Sequence, residues 1–302
     1  MATKSVKAYG KFNIALNVLG VENGYHNLDS FVCTVDKYDK IIINSRKDKK
    51  ILVSFTGPYA FIPKDQSTLN AYKAAETFME KFNTNGVDIE IIKNIPDGGG
   101  MGGSSTNISG VLNCMKKLYK IDGEVKDIAD SLGSDSGYLL EGGFARLTSR
   151  GEVVEKLDID TELYFVVIHA NTGVNTASCF KTFDENNFKG EVCDVAEVIN
   201  AVKTNDLTTL QGKTLNALTK PATLLNEEIS YNLSKLNELS PIFSSMTGSG
   251  STVFSMYETV ELATWAVGKL KKEFGDRVDI LKSYDPNKRT FLEKLFFGDN
   301  KN

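Results

Sequence analysis

The chain is 302 residues long, 41% hydrophobic and 25% charged, which is enough apolar material for a full core spread over two lobes. Its 35 basic residues stand against 39 acidic ones for a net charge of -4, and no basic block stands out, so no nucleic-acid partner is expected. Four cysteines, at 33, 114, 179 and 193, form no CxxC pair, and the two histidines, His26 and His169, complete no zinc-ligand spacing. A reduced, cytoplasmic setting is therefore expected. The N-terminal MATKSVKAYGKF lacks the apolar stretch of a signal peptide, and the most apolar run, Leu163 to Ile168, is too short to span a bilayer, so the protein is expected to be soluble with no membrane partner.

Taken in chain order, Phe12 to Leu19 reads as a strand, and Lys40 to Asn44 and Ile51 to Phe55 as short extended pieces rich in β-branched residues. Asn70 to Phe82 reads as a helix. Val87, Ile89 and Ile91 alternate with polar residues, so Val87 to Lys93 is a half-buried strand leading toward a glycine loop. After the loop, Ile108, Val111, Leu112, Met115 and Leu118 recur at helical spacing, with Ser104, Ser105, Thr106 and Asn107 offering N-cap oxygens ahead of a helix that begins near Asn107. Lys126 to Leu132 suggests a further helix ended by Gly133. Gly143 to Thr148 and Leu163 to His169 read as strands, and His169 is assigned no other role. Asn171 to Glu191 is polar and loop-like, and Val192 to Leu239 is largely helical. The pattern is α+β, divided into lobes 1-155 and 156-302. The charged run Lys47 to Lys50 is a solvated turn.

The stretch Gly98 to Thr106, GGGMGGSST, places five glycines in six positions at a helix N-terminus. Such an end exposes unpaired backbone N–H groups and partial positive charge, and glycines let a ligand reach that backbone, so a phosphate is the natural occupant. A Walker A loop is ruled out because Ser104, not lysine, follows Gly103. Gly98, Gly100 and Gly103 satisfy GxGxxG with Asp122 downstream, but Pro96 and Asp97 separate the strand from the first glycine, and Asp122 falls between two helices rather than at a strand end.

Pro96, Asp97 and GGGMGGSS together resemble the second motif of the GHMP kinase superfamily, whose glycine-serine loop wraps the phosphates of ATP. KAYGKFNIALNVLG near the N-terminus is similar to the first motif, and MTGSGSTVF, Met246 to Phe254, to the third, in the same order; the resemblance runs from about residue 6 to about residue 285. Three shorter stretches, GYH at Gly24 to His26, LGSD at Leu132 to Asp135 and TASCF at Thr176 to Phe180, resemble the branch whose substrate carries a cytidine diphosphate. The resemblance implies a two-lobed fold with the active site in the interlobe cleft, and an ATP-dependent phosphotransfer, with Mg²⁺, to the tertiary 2-hydroxyl of a cytidine-diphosphate-linked methylerythritol in non-mevalonate isoprenoid synthesis. Other small-molecule kinases of the superfamily, acting on homoserine or mevalonate, a decayed nucleotide-binding paralogue and a dinucleotide oxidoreductase remain alternatives.

Carried over residue by residue, the resemblance implies Asp135 as the base that takes the hydroxyl proton and Lys11 beside it as the cation that balances its charge and orients the hydroxyl. Pro96, Gly98, Gly99, Gly100, Met101, Gly102, Gly103, Ser104 and Ser105 would hold the nucleotide, with Ser104 and Ser105 as the hydroxyls within reach of its Mg²⁺; no carboxylate pair marks a dedicated metal site. Tyr25 and Phe180 would sandwich the base and His26 would read its edge, while Asn13, Thr176, Gly248 and Gly250 would meet the rest of the substrate. The pattern departs at three places. Asp97 puts a carboxylate next to the phosphate loop, Ser136 and Gly137 replace the proline that commonly follows the base, suggesting a more mobile loop, and Val32 stands where an aromatic residue is usual, suggesting altered substrate contacts.

Overall fold

The computed structural model describes residues 2–22, 24–188 and 191–288. Its first sheet is organised by a long antiparallel hairpin, β1 (Thr3–Glu22) on β2 (Tyr25–Ser45), in register from Thr3 opposite Asn44 to Glu22 opposite Tyr25. The register shifts between Tyr9 and Lys11, Asn13 and Ala15, and Val18 and Gly20, bulges that bend the strand. Every residue from Gly10 to Val18 is buried, because both faces of this part of β1 are covered. The sequence pattern marks Phe12 to Leu19 because this is the apolar, largely buried stretch; Thr3 to Tyr9 and Gly20 to Glu22, mostly exposed or half-buried, belong to the strand through their pairing with β2.

β3 (Ile51–Thr56), β4 (Val87–Ile92), β5 (Phe144–Ser149) and β6 (Val153–Leu157) complete the sheet in the order β3-β4-β2-β5-β6, with β3 and β4 parallel. One face is covered by α1 (Asn70–Phe82), α2 (Gly103–Tyr119) and α3 (Lys126–Leu132). Ala71, Ala74, Ala75 and Phe78 of α1 are its buried residues, at the spacing of one helical stripe. A single turn, α4 (Ser136–Leu139), follows α3.

The second sheet, antiparallel, runs β10 (Val278–Lys282), β7 (Tyr164–Ile168), β9 (Val253–Tyr257), β8 (Phe243–Met246). Around it lie α5 (Thr176–Glu185), α6 (Val195–Lys203), α7 (Thr219–Leu225), α8 (Glu228–Asn237) and α9 (Val260–Phe274). The fold is thus α+β, as expected. The sheets part between Leu157 and Tyr164, where we propose to divide the lobes. They share one core nonetheless. Phe12 of β1 stacks on Phe254 of β9 with centroids 4.7 Å apart and meets Phe165 of β7 edge-on at 5.3 Å. All three rings are fully buried, each contributing about 1.5–3 kcal/mol of hydrophobic free energy.

Two expectations need correcting. The segment Asn171 to Glu191 is not all loop: Asn175 caps α5 by accepting from Ser178 N–H at 3.0 Å, and Cys179 and Phe183, one turn apart, bury its inner face. Its many polar residues lie on the outer face and hide that pair. Helix α2 begins at Gly103 rather than near Asn107; Gly102, left-handed with φ 75°, is its N-cap, and no side chain caps it. Val192 to Leu239 is largely helical, as expected, with α6, α7 and α8 joined by turns.

Candidate active site

A cleft of about 670 Å³ opens where β1, the N-terminus of α2, the turn before β9 and the start of α5 converge. Its floor is two glycine turns locked to one another through their backbones. Gly98 O accepts from Ser251 N–H at 3.0 Å and from Val174 N–H at 3.1 Å, and Gly99 O accepts from Thr252 N–H at 3.2 Å. At Gly100, with φ 72°, a Cβ would fall 1.9 Å from Thr247 O. Part of the glycine content therefore serves the packing of loop on loop rather than the approach of a ligand. The part left for a ligand is at the helix start. Thr106 N–H is the first to bond a carbonyl of its own helix, Gly102 O at 2.8 Å, so the amides of Gly103, Ser104 and Ser105 ahead of it have no helical acceptor, and all three residues border the cleft.

Beside that helix end lies a buried polar chain. Lys11, on β1 and nearly inaccessible, has its Nζ 3.2 Å from Asp135 Oδ2 and donates to Asn13 Oδ1 at 2.5 Å. Asn13 Oδ1 also accepts from Gly248 N–H at 3.0 Å, while its Nδ2 donates to Ser30 Oγ at 2.8 Å, and Ser30 passes its hydrogen to Ala15 O at 2.7 Å. The lysine stem runs along Gly102, about where a Cβ there would make contact at 3.4 Å. Asp135 heads α4 and is 27% exposed toward the cleft. An ammonium and a carboxylate from residues far apart in sequence thus meet beside a helix end whose first amides have no helical acceptor.

The opposite end of the cleft is built from aromatic and charged side chains. His26, at the start of β2, stacks on Phe180 of α5 with centroids 4.5 Å apart and planes at 27°, and its Nε2 lies 3.0 Å from Asp184 Oδ1. The Arg150 guanidinium sits 3.8 Å over the Tyr25 ring. Thr176 at the start of α5 and Ser249 of the second glycine turn share a hydroxyl contact at 2.9 Å. Arg150, Ser134, Asp184 and Ser249 were not among the expected site residues; Ser134 and Ser249 lie inside the LGSD and MTGSGSTVF stretches, whereas Arg150 and Asp184 belong to no motif. Asp184 had one readable signal: once α5 is recognised as a helix, it falls one turn from Phe180.

Of the expected residues, Pro96, Met101 and Gly250 do not border the cleft, whereas Lys11, Asn13, Tyr25, His26, Gly98, Gly99, Gly100, Gly102, Gly103, Ser104, Ser105, Asp135, Thr176, Phe180 and Gly248 do. Met101 is fully buried among core side chains and accepts from Lys11 N–H at 3.0 Å. Pro96 is buried against Gly99, and Gly250 against Met246. Asp122, the acid of the dinucleotide alternative, is exposed between α2 and α3 and does not line the cleft.

The three departures acquire physical reasons. Asp97 is drawn to the buried Lys93, whose Nζ lies 3.4 Å from its Oδ1 and 2.8 Å from Asp39 Oδ2, so its carboxylate is answered by a cation beneath the loop. The turn after Asp135 is not loose: Ser136 is fully buried, its carbonyl accepts from Ser109 Oγ at 2.8 Å, and a Cβ at Gly137 would meet the Asp130 carboxylate at 1.9 Å. Val32 is fully buried in a cluster with Tyr138, Ala145 and Leu147, so its change concerns packing and not the substrate. His169, just past β7, lies under the second glycine turn, with Nδ1 3.3 Å from Thr252 Oγ1; burial pushes its pKa down from 6.5 to about 4.

Among the described residues no group of three or more His, Cys, Asp or Glu side chains could hold a metal. The hydroxyls of Ser104 and Ser105 and the Asp135 carboxylate are hard oxygen donors at the cleft wall, a set that suits a Mg²⁺ carried mainly on nucleotide oxygens. Ser104 Oγ is further held by a hydrogen bond from Asn70 Nδ2 at the start of α1.

Residues 70–145 match the family described as GHMP kinases N terminal domain. A Clostridium perfringens protein named 4-diphosphocytidyl-2-C-methyl-D-erythritol kinase is 35% identical over 275 residues, covering 89% of this chain and 94% of the relative. One of the same name from Clostridium beijerinckii is 33% identical, covering 90% and 97%. Among solved structures, a 4-(cytidine 5'-diphospho)-2C-methyl-D-erythritol kinase superposes with a TM-score of 0.76 at 24% identity, covering 93% of this chain and 99% of that one. A homoserine kinase from Cytophaga hutchinsonii superposes with a TM-score of 0.70 at 19% identity, covering 94% and 95%.

Proposed function

Because the chain belongs to the GHMP kinases and, within them, to the 4-diphosphocytidyl-2-C-methyl-D-erythritol kinases, we propose that its cleft transfers the γ-phosphoryl of ATP to the 2-hydroxyl of 4-diphosphocytidyl-2-C-methyl-D-erythritol, a step of the non-mevalonate isoprenoid pathway. The observation that carries this reading is the Lys11–Asp135 pair at 3.2 Å, set beside the unbonded amides that open α2.

In this reading the amides of Gly103, Ser104 and Ser105, with the partial positive charge of the helix end, hold the ATP phosphates and stabilise the charge that grows on the transferring group. Ser104 and Ser105 would stand within reach of a Mg²⁺ brought by the nucleotide, which would supply neutralisation of the charge on the leaving phosphate. Asp135 accepts the proton of the attacking hydroxyl as that oxygen bonds to the γ-phosphorus and the bond to the bridging oxygen breaks, releasing ADP. Lys11 is held by Asn13 and lies against Gly102, so its ammonium is fixed before substrate arrives and loses little freedom on binding. At the far end Tyr25 and Phe180 stack the cytosine, worth about 1–3 kcal/mol per ring, His26 reads its edge, and Thr176 and Gly248 face the sugar-diphosphate.

The setting we propose is the cytoplasm. It fits four cysteines that are all free, and no described helix is long and apolar enough to cross a membrane. The test is a ligand-induced melting series. ATP with Mg²⁺, CDP and CMP are each expected to raise the melting temperature, by the equivalent of about 2.7 kcal/mol at a hundredfold excess over Kd, and NAD to leave it unchanged. Protection by NAD without ATP, or indifference to cytidine nucleotides, would overturn the reading.

A further inference from the structure

We infer that Asp184 is the residue that makes the site select cytosine over uracil, by fixing which imidazole nitrogen of His26 carries hydrogen. The inference rests on the reading that a cytidine diphosphate occupies the aromatic end of the cleft. It is carried by one side of α5: Phe180, Phe183 and Asp184 stand at i, i+3 and i+4 and all engage His26. Phe180 stacks on the imidazole at 4.5 Å, Phe183 meets it edge-on at 6.1 Å, and Asp184 Oδ1 lies 3.0 Å from Nε2.

A carboxylate offers only lone pairs, so the hydrogen in that contact belongs to Nε2. The neutral ring then presents Nδ1 as a bare acceptor, and Nδ1 has no protein partner among the described residues. An acceptor pairs with the exocyclic amino group of cytosine and repels the corresponding carbonyl oxygen of uracil. Phe180 and Phe183 fix where the ring lies but are blind to which nitrogen is protonated; Asp184 decides that. Its placement agrees with such a duty. A carboxylate in the last turn of a helix faces the negative end of the helix dipole, so nothing in α5 itself favours an acid at 184, whereas the His26 N–H does. Asp184 is a positioning residue: it acts on the base through His26.

The test compares kcat/KM for the cytidine-diphosphate substrate and its uridine-diphosphate analogue in the wild type, Asp184→Asn and Asp184→Ala. The wild type is expected to prefer cytidine by about a hundredfold or more, the order seen when a polar group faces the wrong partner. An asparagine amide can donate to Nε2 and so allow the tautomer with hydrogen on Nδ1, which suits uracil. Asp184→Asn is therefore expected to shrink the preference about tenfold, mostly through KM. Asp184→Ala is expected to raise KM for cytidine about tenfold while the melting temperature stays put. A second readout is the two-bond nitrogen–proton NMR spectrum of the imidazoles, readily assigned because the chain has only 2 histidines. It should show hydrogen on Nε2 of His26 in the wild type and a mixture in Asp184→Asn. A wild type that discriminates, with variants of unchanged ratio and tautomer, overturns the role of Asp184 and leaves the base-end reading intact. A wild type that uses both substrates alike overturns both.

Discussion

The two ends of the cleft are held by different means. At the phosphate end the partners are backbone atoms and buried side chains: Gly98 and Gly99 carbonyls bonded to the turn before β9, Lys11 joined to Asn13 and Asp135, and Lys93 paired with Asp39 at zero exposure. At the base end they are exposed or half-exposed side chains, with Tyr25 52% exposed under Arg150 and Asp184 45% exposed beside His26. Contacts of the first kind are costly to break because a buried polar group is left without water; contacts of the second kind are worth little to the fold and break easily. The lesson is a division of labour. The end proposed for phosphate is built into the stability of the protein, and the end proposed for the base is held by contacts that can change without threatening the fold.

The largest expected effect that sharpens this contrast is at Lys93. Lys93→Met leaves the Asp39 carboxylate buried with only the Asn94 and Ile95 N–H groups at 2.7 and 2.8 Å, and is expected to cost about 3–5 kcal/mol of stability by chemical denaturation. A loss below about 1 kcal/mol would break the claim that this end is tied into the core.

His169 comes next. The folded protein keeps its buried imidazole neutral down to about pH 4, whereas the unfolded chain protonates it near 6.5. The stability it supports is therefore complete above pH 6.5 and is lost as pH falls toward 4. At 1.36 kcal/mol per unit the loss is about 3 kcal/mol. Denaturation at pH 7 and pH 4 should show the wild type losing that much more than His169→Gln, which cannot titrate; equal losses would deny His169 its part in holding the second glycine turn.

Arg150→Ala is expected to have the smallest effect on the fold, under about 1 kcal/mol, while raising KM for the cytidine substrate severalfold because the guanidinium that braces Tyr25 is gone. A large drop in melting temperature would erase the distinction between the two ends.

The same contrast explains what was legible in the sequence. Glycines that must lie backbone on backbone leave a compositional mark, so the loop at Gly98 to Gly103 and its partner at Gly248 are visible in one dimension, and the motif resemblance supplies Lys11 and Asp135. The reason for those glycines is not visible, since Gly100 is fixed by Thr247, nearly 150 positions away. Lys93 and Asp39 look like any solvated charges, because their burial comes from tertiary packing that periodicity does not encode. Arg150 acts singly across β2 and leaves no pattern, and the i, i+4 spacing of Phe180 and Asp184 can be read only once α5 is recognised as a helix. The length of β1 was hidden because its ends are mostly exposed and are held by pairing with β2, and α5 was hidden by its polar outer surface.

The central claim is that the Asp135 carboxylate, next to Lys11, takes the proton of the attacking hydroxyl. Steady-state phosphotransfer by Asp135→Asn, with ATP protection measured on the same preparation, tests it most directly. The account predicts kcat lower by about 10²- to 10⁴-fold with the ATP-induced rise in melting temperature preserved; an enzyme that keeps its full turnover without this carboxylate contradicts it.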